Sequence, residues 1–250
     1  MTYCLAIGLD AGLCFLSDSR TSAGVDKVST YSKMHTFGID GERQIVILSA
    51  GNLATSQGVI GQLKKHIKQE ADENLLTMEH LADAAEYLGQ VNRNQQEKTK
   101  TDDTTFEASF IIGGQIKGQK PGVYLVYSEG NYITTSEDTP YLQIGETKYG
   151  KPILDRILAP DSSLETAALC GLVSMDSTMR SNLTVGPPIE VLVYERDSFI
   201  LSRKYRFEES SEYLRQLKKS WDARLKDAFN SLPPIVWSAN WDRSRKDVSS

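Results

Sequence analysis

The chain has 250 residues, of which 33 are acidic and 28 basic, for a formal net charge of −5. That balance gives no electrostatic reason to expect nucleic-acid binding, and no run is apolar enough over the length of a membrane span. The length suffices for a sizeable core in one large domain or two small ones.

The first elements carry most of the chemistry. Thr2 to Asp10 reads as a strand in which Tyr3, Leu5, Ile7 and Leu9 alternate with smaller residues, and Gly12 to Asp18 reads as the next. Asp10-Ala11-Gly12 is the tight turn between them, so the hairpin returns Asp18 to the start of the first strand, next to Thr2. If Met1 is removed, Thr2 carries an α-amine and a β-hydroxyl on one residue. A free α-amine titrates near pH ~7.7–8.0, so a useful fraction is neutral and can accept the hydroxyl proton. Lys33 follows, on the approach to the short apolar segment Met34 to Ile39. A cation beside a threonine hydroxyl lowers its pKa, and Asp18 would keep the pair close to neutral. Gln44 to Leu48 is a buried strand ending in Ser49-Ala50-Gly51-Asn52. The glycine permits close backbone approach, so the Gly51 N–H is a candidate oxyanion donor.

The remaining chain alternates helix and strand without a Pro/Gly/Ser-rich linker, which favours a single domain over residues 1–231 followed by a tail, 232–250. Leu53 to Lys68 and Leu75 to Lys98 have helical apolar periods. Thr104 to Gly113 and Gly122 to Tyr127 alternate as strands, and Gly113-Gly114 between them reads as a turn. It lacks the Gly-x-x-x-x-Gly-Lys pattern of a phosphate loop. Tyr141 to Gly145 is a strand entering a helix near Tyr149. Leu164 to Arg180 is a further helix with Leu169, Leu172, Val173 and Met175 partly buried. Pro188 to Tyr194 and Phe199 to Tyr205 form a closing hairpin across Glu195 to Ser198, and Ser210 to Asn230 is an amphipathic helix. Two sheets between two helical layers, an α+β four-layer αββα sandwich, accommodate this order. Trp237 and Trp241 in the tail are expected to dock, on the chain's own domain or on a neighbouring subunit.

Cys4, Cys14 and Cys170 have no metal-like spacing and read as buried structural thiols; His35, His66 and His80 are equally scattered. The N-terminus has no basic n-region and Asp10 interrupts its apolar run, so no signal peptide is expected and the chain is expected in the cytoplasm.

Three segments point to a family: Ser17-Asp18-Ser19-Arg20-Thr21-Ser22-Ala23-Gly24-Val25-Asp26, Gln143-Ile144-Gly145-Glu146-Thr147-Lys148-Tyr149-Gly150-Lys151-Pro152, and Ser174-Met175-Asp176-Ser177-Thr178-Met179-Arg180-Ser181-Asn182-Leu183. With Thr2, Lys33 and Ser49-Ala50-Gly51 in order, the chain over roughly residues 2 to 230 resembles the proteasome β-subunit superfamily of N-terminal nucleophile (Ntn) hydrolases. Within it the chain is most similar to the bacterial Anbu peptidases. The resemblance implies the αββα fold and threonine peptidase or amidase activity without a cofactor. Thr2 would be the nucleophile, Asp18 and Lys33 its supporting pair, and Gly51 the oxyanion donor. Thr21 and Ser22 would form the edge that binds a peptide backbone, and Gly145, Glu146, Arg180 and Ser181 would surround the amine. The family pattern departs at three points: its usual spacing would place the lysine at Met34, Glu146 replaces a serine, and Ser181 replaces an acid. The resemblance also implies a homo-oligomeric ring or open spiral, with peptides or proteins as substrate and neither nucleic acid nor membrane as partner. No segment resembles an ATP site, so an unfoldase would be a separate, unidentified protein. The rival reading is an inactive or weakly active oligomeric scaffold descended from a peptidase.

Overall fold

The computed structural model describes residues 1–22, 28–99 and 106–235, with only the backbone described at Ser22, Val28 and Thr99. It divides into two units, Met1–Ser211 and Glu212–Ser250. In the first unit, strands β1 (Tyr3–Leu9) and β2 (Gly12–Asp18) form the expected hairpin. Gly12 is required at its turn because a Cβ there would lie 2.1 Å from the Tyr194 carbonyl oxygen. The hairpin sits inside a five-stranded sheet ordered β10–β1–β2–β11–β12, where β10 is Tyr141–Gly145, β11 Ile189–Glu195 and β12 Arg203–Phe207. The second sheet is ordered β5–β6–β7–β8–β9: Met34–Ile39, Arg43–Gly51, Ala108–Ile116, Gly122–Val126 and Tyr132–Thr134. A short ribbon, β3 (Arg20–Ser22) with β4 (Val28–Thr30), stands apart from both.

Alternation on the strands decides what each face meets. On β6, Val46, Leu48 and Ala50 join Cys4, Ala6 and Phe15 in the core between the sheets. Ile45 and Ile47 point the other way, against Val59, Leu63 and Leu88 of helices α1 (Leu53–Lys68) and α2 (Leu81–Thr99). A strand buried on both faces must be apolar throughout, hence the unbroken Ile45-Val46-Ile47-Leu48. Each fully buried Leu or Ile contributes about 1.5–3 kcal/mol. The outer face of the first sheet is covered by α4 (Leu164–Ser181), with α3 (Lys151–Ile157) beside it. The layers are therefore α, β, β, α, the expected sandwich. No helix among the described residues is long and apolar enough to cross a membrane.

Some local expectations fail for tertiary reasons. Gly113-Gly114 is not a turn: both residues lie inside β7, where a Cβ on Gly113 would lie 2.8 Å from the Phe15 ring and one on Gly114 2.0 Å from the Gln44 carbonyl oxygen. Small residues are needed there for packing, not bending. Helix α2 begins at Leu81 rather than Leu75 because the Asn74 carboxamide accepts the Leu76 N–H at 2.8 Å and forms a turn, while Asp83 accepts the His80 N–H at 3.0 Å. Strand β12 begins at Arg203 rather than Phe199. The preceding loop is diverted by side chains: Gln44 donates to the Phe199 carbonyl and Gln115 to Asp197, with Asp197 and Phe199 at positive φ. Leu169 is exposed, whereas Leu172, Val173 and Met175 are buried. Part of the 104–113 strand expectation, and Trp237 and Trp241, lie outside the described residues.

In the second unit, α5 (Glu212–Asn230) is the expected amphipathic helix, opened by a bidentate Arg215–Glu212 contact at 2.7–2.8 Å.

Candidate active site

The β1–β2 ladder, with Cys4 opposite Ser17, delivers Asp18 to the start of β1. Its fully buried carboxylate accepts three hydrogen bonds: from the Tyr3 N–H at 3.0 Å, from Lys33 Nζ at 2.7 Å and from the Gly186 N–H at 3.2 Å. Burial raises the Asp18 pKa above the usual carboxylate value, against the opposing pull of Lys33 and the two backbone donors. Lys33 is also buried, and its ammonium donates a second bond to the Arg20 carbonyl at 2.8 Å. The Lys33 carbonyl accepts the Ser49 N–H at 3.0 Å, which sets the lysine beside the end of β6 that carries Gly51. Met34, one residue on, pairs with Leu48 and packs between the sheets. At the one-residue-shorter spacing, Lys33 is therefore the side chain that meets Asp18.

Thr2 is half-buried, and its carbonyl accepts the Glu146 N–H at 2.7 Å. Gly145, at φ +83°, makes that approach possible, since a Cβ there would lie 2.0 Å from the Thr2 carbonyl oxygen. Glu146 is buried and its Oε2 accepts a hydrogen bond from Asn182 Nδ2 at 3.2 Å. Arg180 and Ser181 are exposed at the end of α4; the Asn182 side chain just beyond it reaches Glu146 and is held in turn by Thr184. Tyr3 anchors β1 from behind. Its hydroxyl accepts from Gln143 at 2.7 Å and meets Ser174 Oγ at 2.6 Å, and burial pushes its pKa above the ordinary phenol value.

Gly51 ends β6 at φ +104°, where a Cβ would lie 2.5 Å from the Glu107 carbonyl oxygen, and it immediately precedes Asn52, which caps α1. Gly51 is therefore the last residue of the β6–β7 ladder, paired with Ala108, directly before the helix start. Thr21 is on β3, opposite Ser29, and its buried Oγ1 has no hydrogen-bond partner among the described residues. Only the backbone of Ser22 is described. The loop 182–186 closes the site: Arg20 donates from its backbone N–H to the Gly186 carbonyl and from Nη1 to the Leu183 carbonyl.

Thr2, Asp18, Lys33, Gly145 and Glu146 are thus linked through direct contacts or one intervening residue. Asn182, Gly186 and the Arg20 carbonyl were missed as contributors. Asn182 stood in a quoted motif, but nothing local marked it as the residue turned inward. In the structure Met1 precedes Thr2, so the Thr2 nitrogen is an amide. Loss of Met1 would make it an amine at the same position.

The proteasome subunit family model matches residues 2–194. Among solved structures the chain is similar to Anbu (ancestral β-subunit) from Yersinia bercovieri, at 44% identity over 94% of this chain and 100% of that one, TM-score 0.89. It is similar to Anbu from Pseudomonas aeruginosa, solved as a helical assembly of the Anbu complex, at 45% identity over 95% and 100%, TM-score 0.91. A Gly-1 mutant of Anbu from Hyphomicrobium sp. strain MC1 matches at 42% identity over 95% and 100%, TM-score 0.90. No curated protein matches the chain. A family model covering more than three quarters of the chain and near-complete structural overlap at these identities agree: the chain belongs to the proteasome subunit family and is Anbu-like.

Proposed function

We propose that the chain, once Met1 is removed, is a threonine-type peptidase or amidase that hydrolyses amide bonds through an acyl-enzyme on Thr2. The observation that carries this reading is the buried Asp18–Lys33 pair, held at 2.7 Å at the strand end that presents Thr2. The neutral Thr2 amine, directly or through a water, takes the proton from Oγ, which attacks the substrate carbonyl carbon. Lys33 lowers the cost of the developing alkoxide, and Asp18 holds its ammonium in place at 2.7 Å. The Gly51 N–H faces the oxyanion, where loss of one donor typically costs about 2.7–4 kcal/mol. The ammonium returns its proton to the leaving amine as the C–N bond breaks. Water then cleaves the ester, and Thr2 regains its hydroxyl and amine.

Thr21 and Ser22 supply the edge for an extended substrate backbone, a role that their place on the short β3–β4 ribbon beside Arg20 supports. Glu146 with Asn182 provides the polar surroundings of the amine, with Arg180 and Ser181 at the rim. The helical assembly of the Pseudomonas aeruginosa relative supports a homo-oligomer, ring or open spiral; its proposed location is the cytoplasm. The test is intact mass with peptide mapping, before and after a peptidyl epoxyketone. That reagent needs both the hydroxyl and the free amine of an N-terminal threonine to close its ring adduct. Loss of Met1 with an adduct on Thr2 is expected. Retained Met1 without an adduct would make the scaffold reading the better one.

A further inference from the structure

One buried carboxylate has no part in the chemistry above. Glu190 lies on β11 opposite Ser17, with its side chain 5% exposed. Its Oε2 accepts hydrogen bonds from Ser32 Oγ at 2.5 Å and Ser19 Oγ at 3.4 Å. Those serines flank the ion pair in sequence: Ser19 follows Asp18, and Ser32 precedes Lys33. A buried acid is costly unless its partners require it. Its cation, Arg206, is 3.8 Å from Oε1 and half exposed, and Arg206 has a closer partner in Glu208 at 2.7 Å. A tie to β12 therefore does not explain the carboxylate. The short bond to Ser32 does.

Ser32 has one hydroxyl proton. Glu190 takes it, at 2.5 Å against 3.1 Å to the Met34 carbonyl, because a charged acceptor is the stronger one. The Oγ lone pairs are then turned to the Met34 N–H, 3.4 Å away. Residues on both sides of Lys33 are thereby fixed, while its own carbonyl is held by the Ser49 N–H. The Lys33 Cα is thus held where its ammonium reaches both Asp18 and the Arg20 carbonyl.

We propose that Glu190 is a positioning residue that acts through Ser32 to hold the Lys33 backbone, and so the ammonium, in the place Thr2 chemistry needs. Its catalytic consequence rests on the peptidase reading; its geometric consequence does not. Four Met1-free variants test it: Ser32→Ala, Glu190→Ala, Glu190→Gln and the Ser32→Ala/Glu190→Ala double. With a fluorogenic peptide, each of the first two is expected to lose about tenfold in kcat with KM little changed, the scale of a small misplacement of a catalytic group. The double variant should lose no more than the worse single, since both act on one link. Glu190→Gln, whose amide oxygen can accept the same hydroxyl, should recover most of the rate. Additive losses, no recovery in Glu190→Gln, or rates that merely track Tm would overturn the proposal. A crystal structure of Ser32→Ala decides the geometric part even if the wild type proves inactive. The Lys33 Nζ–Asp18 contact should stretch beyond about 3.5 Å, and an unchanged contact sinks the idea. Ser32→Ala keeps the buried charge and its partner on β12, so it carries the test should Glu190→Ala not fold. Failure of the peptidase reading alone would show as a wild type without a Thr2 adduct but with a displaced lysine in this variant.

Discussion

Replacing Lys33 by Met keeps a side chain of similar length and removes the charge that faces Asp18. In the variant the carboxylate retains the Tyr3 and Gly186 N–H donors but no cation, at a site with no solvent exposure. Removing one partner of a buried pair typically costs about 3–5 kcal/mol, because the remaining charge is left uncompensated. For a chain of this size each kcal/mol moves Tm by about 2–4 °C, so a fall on the order of 10 °C is expected at neutral pH. The pH dependence identifies the cause. Burial already raises the folded-state Asp18 pKa, and Lys33 is the largest influence lowering it, so the variant's value rises further. A carboxyl whose folded pKa exceeds its unfolded value of about 3.9 binds its proton more tightly when folded. The penalty is therefore full above the folded pKa and vanishes as pH falls towards the unfolded value. Calorimetry at fixed protein concentration from pH 8 to pH 5 should show the gap between wild type and Lys33→Met narrowing on acidification. A gap of equal size at both ends would refute the claim that an unpaired Asp18 charge is its source.

The other consequences can be checked separately. Thr2→Ala should abolish the epoxyketone adduct and peptide turnover while changing stability by no more than about 0.5 kcal/mol, since the half-buried side chain is small and the carbonyl bond to Glu146 stays; a large drop in Tm would mean Thr2 is mainly structural. Gly145→Ala places a methyl 2.0 Å from the Thr2 carbonyl oxygen at φ +83°. The left-handed backbone costs about 1–2 kcal/mol, and losing the Glu146–Thr2 hydrogen bond adds about 0.5–1.5 kcal/mol. Urea unfolding should register the sum, and a neutral result would mean the loop moves aside freely. Burial pushes the Cys14 thiol up to about 12, Cys170 to about 11 and Cys4 higher still, so all three stay protonated at pH 8. Ellman's reagent should detect no thiol in the native protein and three in guanidinium; rapid reaction in buffer would contradict the packing.

Short-range patterns were legible wherever a neighbour in sequence is also a neighbour in space. A tight turn with alternating residues on either side places Asp18 at the head of β1, because a hairpin's register follows from its turn. The unbroken apolar run at Ile45 to Leu48 announces a strand covered on both faces. Lys33, not Met34, is the side chain that meets Asp18, because an aliphatic Met belongs between the sheets and an ammonium does not. The third donor to Asp18 comes from Gly186, 168 residues away, and the acceptor for Ser32 from Glu190, 158 residues away. Neither position carries a local signal. A backbone N–H is common to every residue but proline, and a glutamate on an alternating strand reads as solvent-facing until its neighbours enclose it.

By itself, then, the order of elements and the turn chemistry determined the sandwich and the β1–β2 hairpin that returns Asp18 to the start of β1, because these depend on periodicity within elements and on a tight turn between neighbours. Which side chain of the 180–184 turn faces Glu146, why two glycines sit straight in β7, and what holds Lys33 from behind were decided only when distant strands came within hydrogen-bonding or van der Waals reach. Those interactions fall off over a few ångströms, and separation along the chain does not encode that distance.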